Sequence, residues 1–169
     1  MAGWIDIHGP ITADSVYVEG SLAARDVGIT LPAVTPTTAD YTAMGTLSLP
    51  VWSNLEAMQV TISQRGINQG LRAMLGGKAK EIEVRWLQEV LGSDGNSKKQ
   101  GCKAFLRVVP MGIPGLGLEM GSPSDNDVVF AVLRYRLIID GVEAWLIDRL
   151  NQKLVIGGVD YYSQVASFL

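Results

Sequence analysis

Residues 128–160 read VVFAVLRYRLIIDGVEAWLIDRLNQKLVIGGVD, and this stretch decides the fold class. Two runs rich in β-branched, aliphatic and aromatic residues flank Asp140-Gly141, a dipeptide that readily takes the positive φ angles of a two-residue hairpin turn. A polar break over residues 149–153 then leads to a short third strand. The segment contains no histidine, cysteine or serine, so it offers neither an activated nucleophile nor a transition-metal ligand set. Aliphatic residues alternate with isolated charges, the pattern of a half-buried strand, and a segment this ordered and this inert suggests a building block.

The same period of two recurs upstream. Residues 55–64 set Met58, Val60 and Ile62 on one face and Gln59, Thr61 and Ser63 on the other. In EIEVRWLQEV, Ile82, Val84 and Trp86 oppose Glu81, Glu83 and Arg85, and residues 102–109 repeat the arrangement with Lys103 and Arg107 outward. The intervening GSDGNSKK reads as a solvated turn, and SVYVEG at residues 15–20 as a shorter strand. One helical stretch stands among them: GINQGLRAML places Ile67, Leu71, Met74 and Leu75 on one face, and Gly76-Gly77 ends it as a C-cap. The expectation is a mainly β chain with one short flanking α-helix.

Two segments depart from this pattern. Residues 1–14 form a Gly- and Pro-containing leader with weak alternation at Trp4, Ile5 and Ile7, fit for a strand or an adhesive arm; residues 15–169 make the single domain. Residues 31–50, LPAVTPTTADYTAMGTLSLP, carry three prolines, which exclude a regular helix and oppose pairing in a central strand. A loop of this length without structure is unusual inside a compact domain, and the segment lacks the high charge of a disordered linker. Leu31, Val34, Tyr41, Met44 and Leu47 instead mark an extended arm or long hairpin that packs on a neighbouring molecule. The alternative is a loop folded back on its own domain.

Composition points to assembly. Only 18% of the 169 residues are charged, against roughly 25% in typical soluble domains, and the mean hydropathy is positive. Arg134 and Arg136 interrupt the most apolar region before it could span a bilayer, and the N-terminus lacks a secretory signal pattern. The surplus apolar surface therefore belongs at subunit interfaces. A net charge of −3 and an acidic isoelectric point argue against a protein whose work is gripping nucleic-acid phosphates on a basic face.

The chemical motifs fail one by one. Gly76-Gly77-Lys78 lacks the Ser or Thr and the first glycine of a phosphate-binding loop, since Ala79 and Arg72 stand there. Gly115, Gly117 and Gly121 have loosely dinucleotide-like spacing, yet Pro114 and Pro123 and the absence of a following helix remove the context. His8 is the only histidine and has no sequence partner. Cys102 is the only cysteine, which excludes an intrachain disulfide and reads as a small buried hydrophobe.

From Val16 onward the chain resembles the major tail tube proteins of contractile-tailed bacteriophages and R-type bacteriocins. The resemblance rests on Ile147-Asp148, Asn151, Ile156 and Gly158-Val159-Asp160, preceded by the run from Leu137 through Asp140 to Gly141. Val16 to Gly20, Ile29 to Pro32 and the helical stretch from Ile67 to Leu75 agree in place. The leader is longer than the family's, and residues 92–127 align weakly.

The resemblance implies a small β-sandwich or partial barrel whose inner barrel is shared between the subunits of a hexameric ring, the rings stacking helically into a hollow tube. It implies no enzyme and no cofactor. Partners would be further copies of the chain, a tail sheath protein, a tape-measure protein, and baseplate and tail-terminator proteins. DNA or ions would meet the tube only in transit, without stable membrane association, in a virion tail or bacteriocin particle assembled in the bacterial host cytoplasm. Residues 31–50 become the inter-ring arm. Gln59, Thr61, Ser63, Glu81, Glu83, Arg85, Lys103 and Arg107 become candidates for the lumen wall, and Asp140, Gly141, Ile147, Asp148, Asn151, Gly158, Val159 and Asp160 become structural motif positions. Other readings are a type VI-like or extracellular contractile tube, a non-contractile phage tube, and, from a different class, a small ligand-binding β-barrel.

Overall fold

A computed structural model describes residues 5–169. Asp140 and Gly141 sit at φ 49° and 80°, both left-handed, as the twist of a two-residue hairpin requires. They fold β9 (Asp125–Ile139) back as β10 (Val142–Asp148). Gly157 and Gly158, at φ 59° and 85°, do the same between β11 (Lys153–Ile156) and β12 (Val159–Asp160).

β9 organises the sheet. Its first half pairs with β6 (Gln59–Arg65) and its second half with β10 along the same edge, while β8 (Ser97–Pro110) runs along the other. β8 pairs in turn with β7 (Lys80–Leu91), β7 with β1 (Ile7–Val18), and β1 with β2 (Ser21–Arg25), all antiparallel. The short β3 (Gly28–Thr30) borders β6. Opposite Arg107/Val108 the β9 chain carries one extra residue, Leu133; such a bulge raises the local twist and shifts the side-chain parity. The inward residues accordingly run Val128, Phe130, Val132, then Tyr135 and Leu137. They join Val16, Ile82, Val84, Leu106, Val60, Ile62 and Ile147 in one core, so the sheet is rolled around its own apolar face.

Sequence expectations and structure differ in several places: the alternating stretch read over residues 55–64 is strand only over Gln59–Arg65, Leu55 ending β5, and GSDGNSKK, read as a turn, gives Ser97, Lys98 and Lys99 to β8. The strand expected at residues 15–20 begins at Ile7, because the leader pairs with β7 from Ile7 opposite Leu91; register shifts around Gly9 and Pro10 blur its alternation. The helix expected over residues 67–75 is α1 (Gln69–Met74), capped by Asn68, whose side chain accepts the Leu71 N–H at 3.2 Å. Leu71 and Met74 are buried, but Ile67 precedes the cap and is exposed. A second short helix, α2 (Ser163–Phe168), buries none of its residues and so leaves no apolar stripe to read. Last, the segment expected to end at residue 50 is a hairpin of β4 (Pro36–Thr42) and β5 (Thr46–Leu55), five residues longer. It forms its own two-stranded sheet, where every strand is an edge and Pro36 and Pro50 are tolerated.

Candidate functional site

The β4–β5 hairpin is fixed at its base and free at its tip. Leu31 and Val34 are half-buried against the core of their own subunit, so of the expected arm residues only Tyr41, Met44 and Leu47 are exposed on the hairpin, joined by Leu49 and Trp52. Arg149 donates from Nη2 to the Leu55 carbonyl at 2.9 Å and from Nη1 to the Glu56 carbonyl at 3.1 Å. The Trp52 ring stacks on Tyr161 with centroids 6.2 Å apart. The C-terminal segment thus anchors the hairpin and sets its direction.

A second apolar surface escaped sequence reasoning. Residues 111–124 have no regular structure and expose Met111, Ile113, Leu116, Leu118 and Met120 around a single charge, Glu119. Its signal lay in the sequence: a Gly- and Pro-rich loop with five large apolar side chains and one charge is poorly suited to solvent.

The outward side of the rolled sheet is polar and internally paired. Arg107 Nη1 lies 2.6 Å from Glu81 Oε1 and Arg85 Nε 2.5 Å from Glu83 Oε1. Across β9 and β10, Arg136 meets Glu143 at 3.0 Å and Arg134 meets Asp148 at 4.0 Å. The Arg85 guanidinium covers the Tyr17 ring at 4.5 Å and Arg136 faces Phe105 at 5.9 Å. Arg85, Lys103, Tyr17 and Phe105 border a concave basin of ≈ 840 Å³ on this side. Glu81, Glu83, Arg85, Lys103 and Arg107 come together here. Gln59 lies beyond them by register, opposite Ala131, which stands opposite Val109. Thr61 and Ser63 follow along β6, and Ser63 donates to Asp127 at 2.6 Å. All eight residues therefore share one side of the sheet, with Val129 and Ala131 as an apolar strip between the two groups.

The C-terminal motif positions are turn instructions. The Asp148 carboxylate accepts from the Asn151 backbone N–H at 3.1 Å and from Asn151 Nδ2 at 2.8 Å, which explains their spacing of three. Asp160 accepts the Tyr162 N–H at 2.9 Å ahead of α2, and Ile147 sits in the core while Val159 is exposed. Burial pushes the Cys102 thiol above its usual range, as suits a packed hydrophobe, and His8 lies exposed on β1 opposite Val90. Among the described residues no group of three or more His, Cys, Asp or Glu side chains could hold a metal ion, and no helix is long and apolar enough to cross a membrane.

A rolled β-sheet with paired charges on its open side, a projecting apolar hairpin and an apolar loop defines a structural subunit built to meet further subunits. The chain matches the family model of phage tail tube protein FII over residues 10–169 and belongs to that family. In fold it is similar to a chain of an extracellular contractile injection system, solved by cryo-EM as the PVC sheath-tube complex in its extended state. The TM-score is 0.53 at 10% identity, covering 78% of this chain and 91% of that one. A search among curated proteins finds no sequence match.

Proposed function

We propose that the protein is the inner-tube subunit of a contractile tail, forming hexameric rings that stack helically around a bore. The observation that carries this is the β4–β5 hairpin, an apolar two-stranded sheet held at its base and unpartnered at its tip, on a chain of a tail tube family. The hairpin reaches the adjacent ring, and the 111–124 loop adds apolar contact between subunits. The open sheet edges at β2 and β12 pair or abut around the ring, which removes edges that would otherwise recruit strands at random.

The outward side of β7, β8 and β6 lines the bore, where Gln59, Thr61, Ser63, Glu81, Glu83, Arg85, Lys103 and Arg107 meet DNA in transit. Nothing in this role requires catalysis, a cofactor or a stable hold on a membrane. A sheath surrounds the tube, a tape-measure protein occupies it during growth, and baseplate and terminator proteins close its ends. Assembly takes place in the bacterial host cytoplasm and the product is a particle's tail. The fold likeness to an extracellular contractile injection system supports a second reading, a tube of that kind.

Electron microscopy of the purified protein tests the proposal. Hollow filaments or six-membered rings are expected; a monomer that persists at high concentration would overturn it.

A further inference from the structure

Opposite charges face each other along the β7–β8 ladder, with Glu81 across from Arg107 and Glu89 across from Lys99. One rung differs. Arg85 stands directly opposite Lys103, and like charges in that position destabilise a sheet. Arg85 is relieved by Glu83 on its own strand and by the Tyr17 ring. Lys103 is exposed and makes no ion pair among the described residues; its neighbour on the other side is Ile138. Both cations border the ≈ 840 Å³ basin together with Arg25, against the carboxylates Asp14 and Asp26, and Asp14 already accepts the Val27 N–H at 2.8 Å.

The geometry points to the Arg85–Lys103 rung as a phosphate contact for nucleic acid, with the Lys103 ammonium as the donor. This rests on the proposal that the β7–β8 side lines the bore. An unpaired lysine on an open face is a flexible point charge suited to phosphate oxygens. Arg107, Arg134 and Arg136 are each neutralised by their own carboxylate. Lys103 is set apart by facing a cation where Lys99 faces Glu89, so a passing polyanion meets weak contacts at this rung, repeated along the tube, instead of a continuous basic wall. Such contacts exchange with counterions and weaken steeply with salt.

The test uses assembled tubes. Lys103→Cys tubes are treated with a small maleimide and with one too large for the bore, wild-type tubes serving as the control for buried Cys102. Labelling by the small reagent alone is expected. Labelling by both puts the position outside the tube, and labelling by neither puts it against a neighbouring copy; either result removes the bore reading and the phosphate contact with it. Retention of a fluorescent duplex DNA loaded into the tubes is then followed against salt. Lys103→Gln is expected to lower retention several-fold and to flatten the salt slope by about 0.9 for each phosphate no longer neutralised, while Lys103→Arg keeps retention and Lys99→Gln leaves it unchanged. Wild-type retention in Lys103→Gln tubes, or an equal fall in Lys99→Gln tubes, overturns the phosphate contact while the bore reading stands.

Discussion

Replacing Asp148 by alanine is expected to loosen the turn that carries the C-terminal part of the sheet. Asp148 ends β10 and is only 9% exposed. Its two oxygens accept from Asn151 at 3.1 and 2.8 Å, and Arg134 lies 4.0 Å away. Hydrogen bonds to a charged acceptor contribute roughly 1.5 kcal/mol or more each, so the pair from Asn151 amounts to about 3 kcal/mol, and the half-exposed Arg134 adds little. At about 2–4 °C per kcal/mol for a domain of this size, the variant melts about 6–12 °C lower. Burial pushes the Asp148 carboxyl up, but the Asn151 hydrogen bonds and the Arg134 charge prevail and hold it below the usual range. A lowered folded value means that this stabilisation is complete above the unfolded value, about 3.9, and is lost as pH falls through the folded value. Urea unfolding of the unassembled subunit, measured from neutral pH into strong acid, should show the gap between wild type and Asp148→Ala closing at the acid end. A gap at neutral pH below about 0.5 kcal/mol, within the scatter of ordinary surface substitutions, or one that does not change with pH, refutes the assignment.

Gly70→Ala drives a methyl group into the Ala23 carbonyl oxygen, so α1 must move off β2; urea unfolding should show a loss of about 1–3 kcal/mol. Replacing both Met44 and Leu47 by aspartate at the exposed hairpin tip should leave the subunit's melting temperature nearly unchanged and abolish sedimenting tubes; tubes at wild-type yield would remove the hairpin from the interface. Glu81→Lys combined with Glu83→Lys removes two exposed ion pairs, at most about 1 kcal/mol each, so tubes should form while DNA passage slows. Failure to form tubes assigns those residues to a subunit interface.

The elements legible in the sequence are those whose two faces meet opposite surroundings within one chain. Ile82, Val84 and Trp86 against Glu81, Glu83 and Arg85 is such a case, and Asp140-Gly141 is a turn whose φ angles are demanded locally. What was not legible has a partner elsewhere or none. α2 buries nothing, so no periodicity marks it. The leader from Ile7 joins β1, but the register shifts around Gly9 and Pro10 leave no fixed parity to follow. Gln59 shares a side with Arg107 only through the rung Gln59, Ala131, Val109, a relation between strands far apart in the chain that no local pattern carries. Leu31 and Val34 looked equivalent to Met44 and Leu47, yet the first two meet the core of their own subunit and the last two meet nothing in it.

That last difference separates the two kinds of apolar residue in the molecule. The core set is completed by alternation and burial within the subunit. Tyr41, Met44, Leu47 and the apolar side chains of residues 111–124 have an apolar pattern with no internal complement, and the deficit of charge in the composition is their only sequence-wide trace. A chain that must associate before its apolar surface is satisfied couples the order of its hairpin to docking, because the Arg149 clamp and the Trp52–Tyr161 stack hold only the base. Amide exchange near the tip, around Met44, should therefore be fast in the free subunit and slow in the tube, while Leu55 beside Arg149 changes little. Equal exchange at the tip in both states would place the docking surface elsewhere.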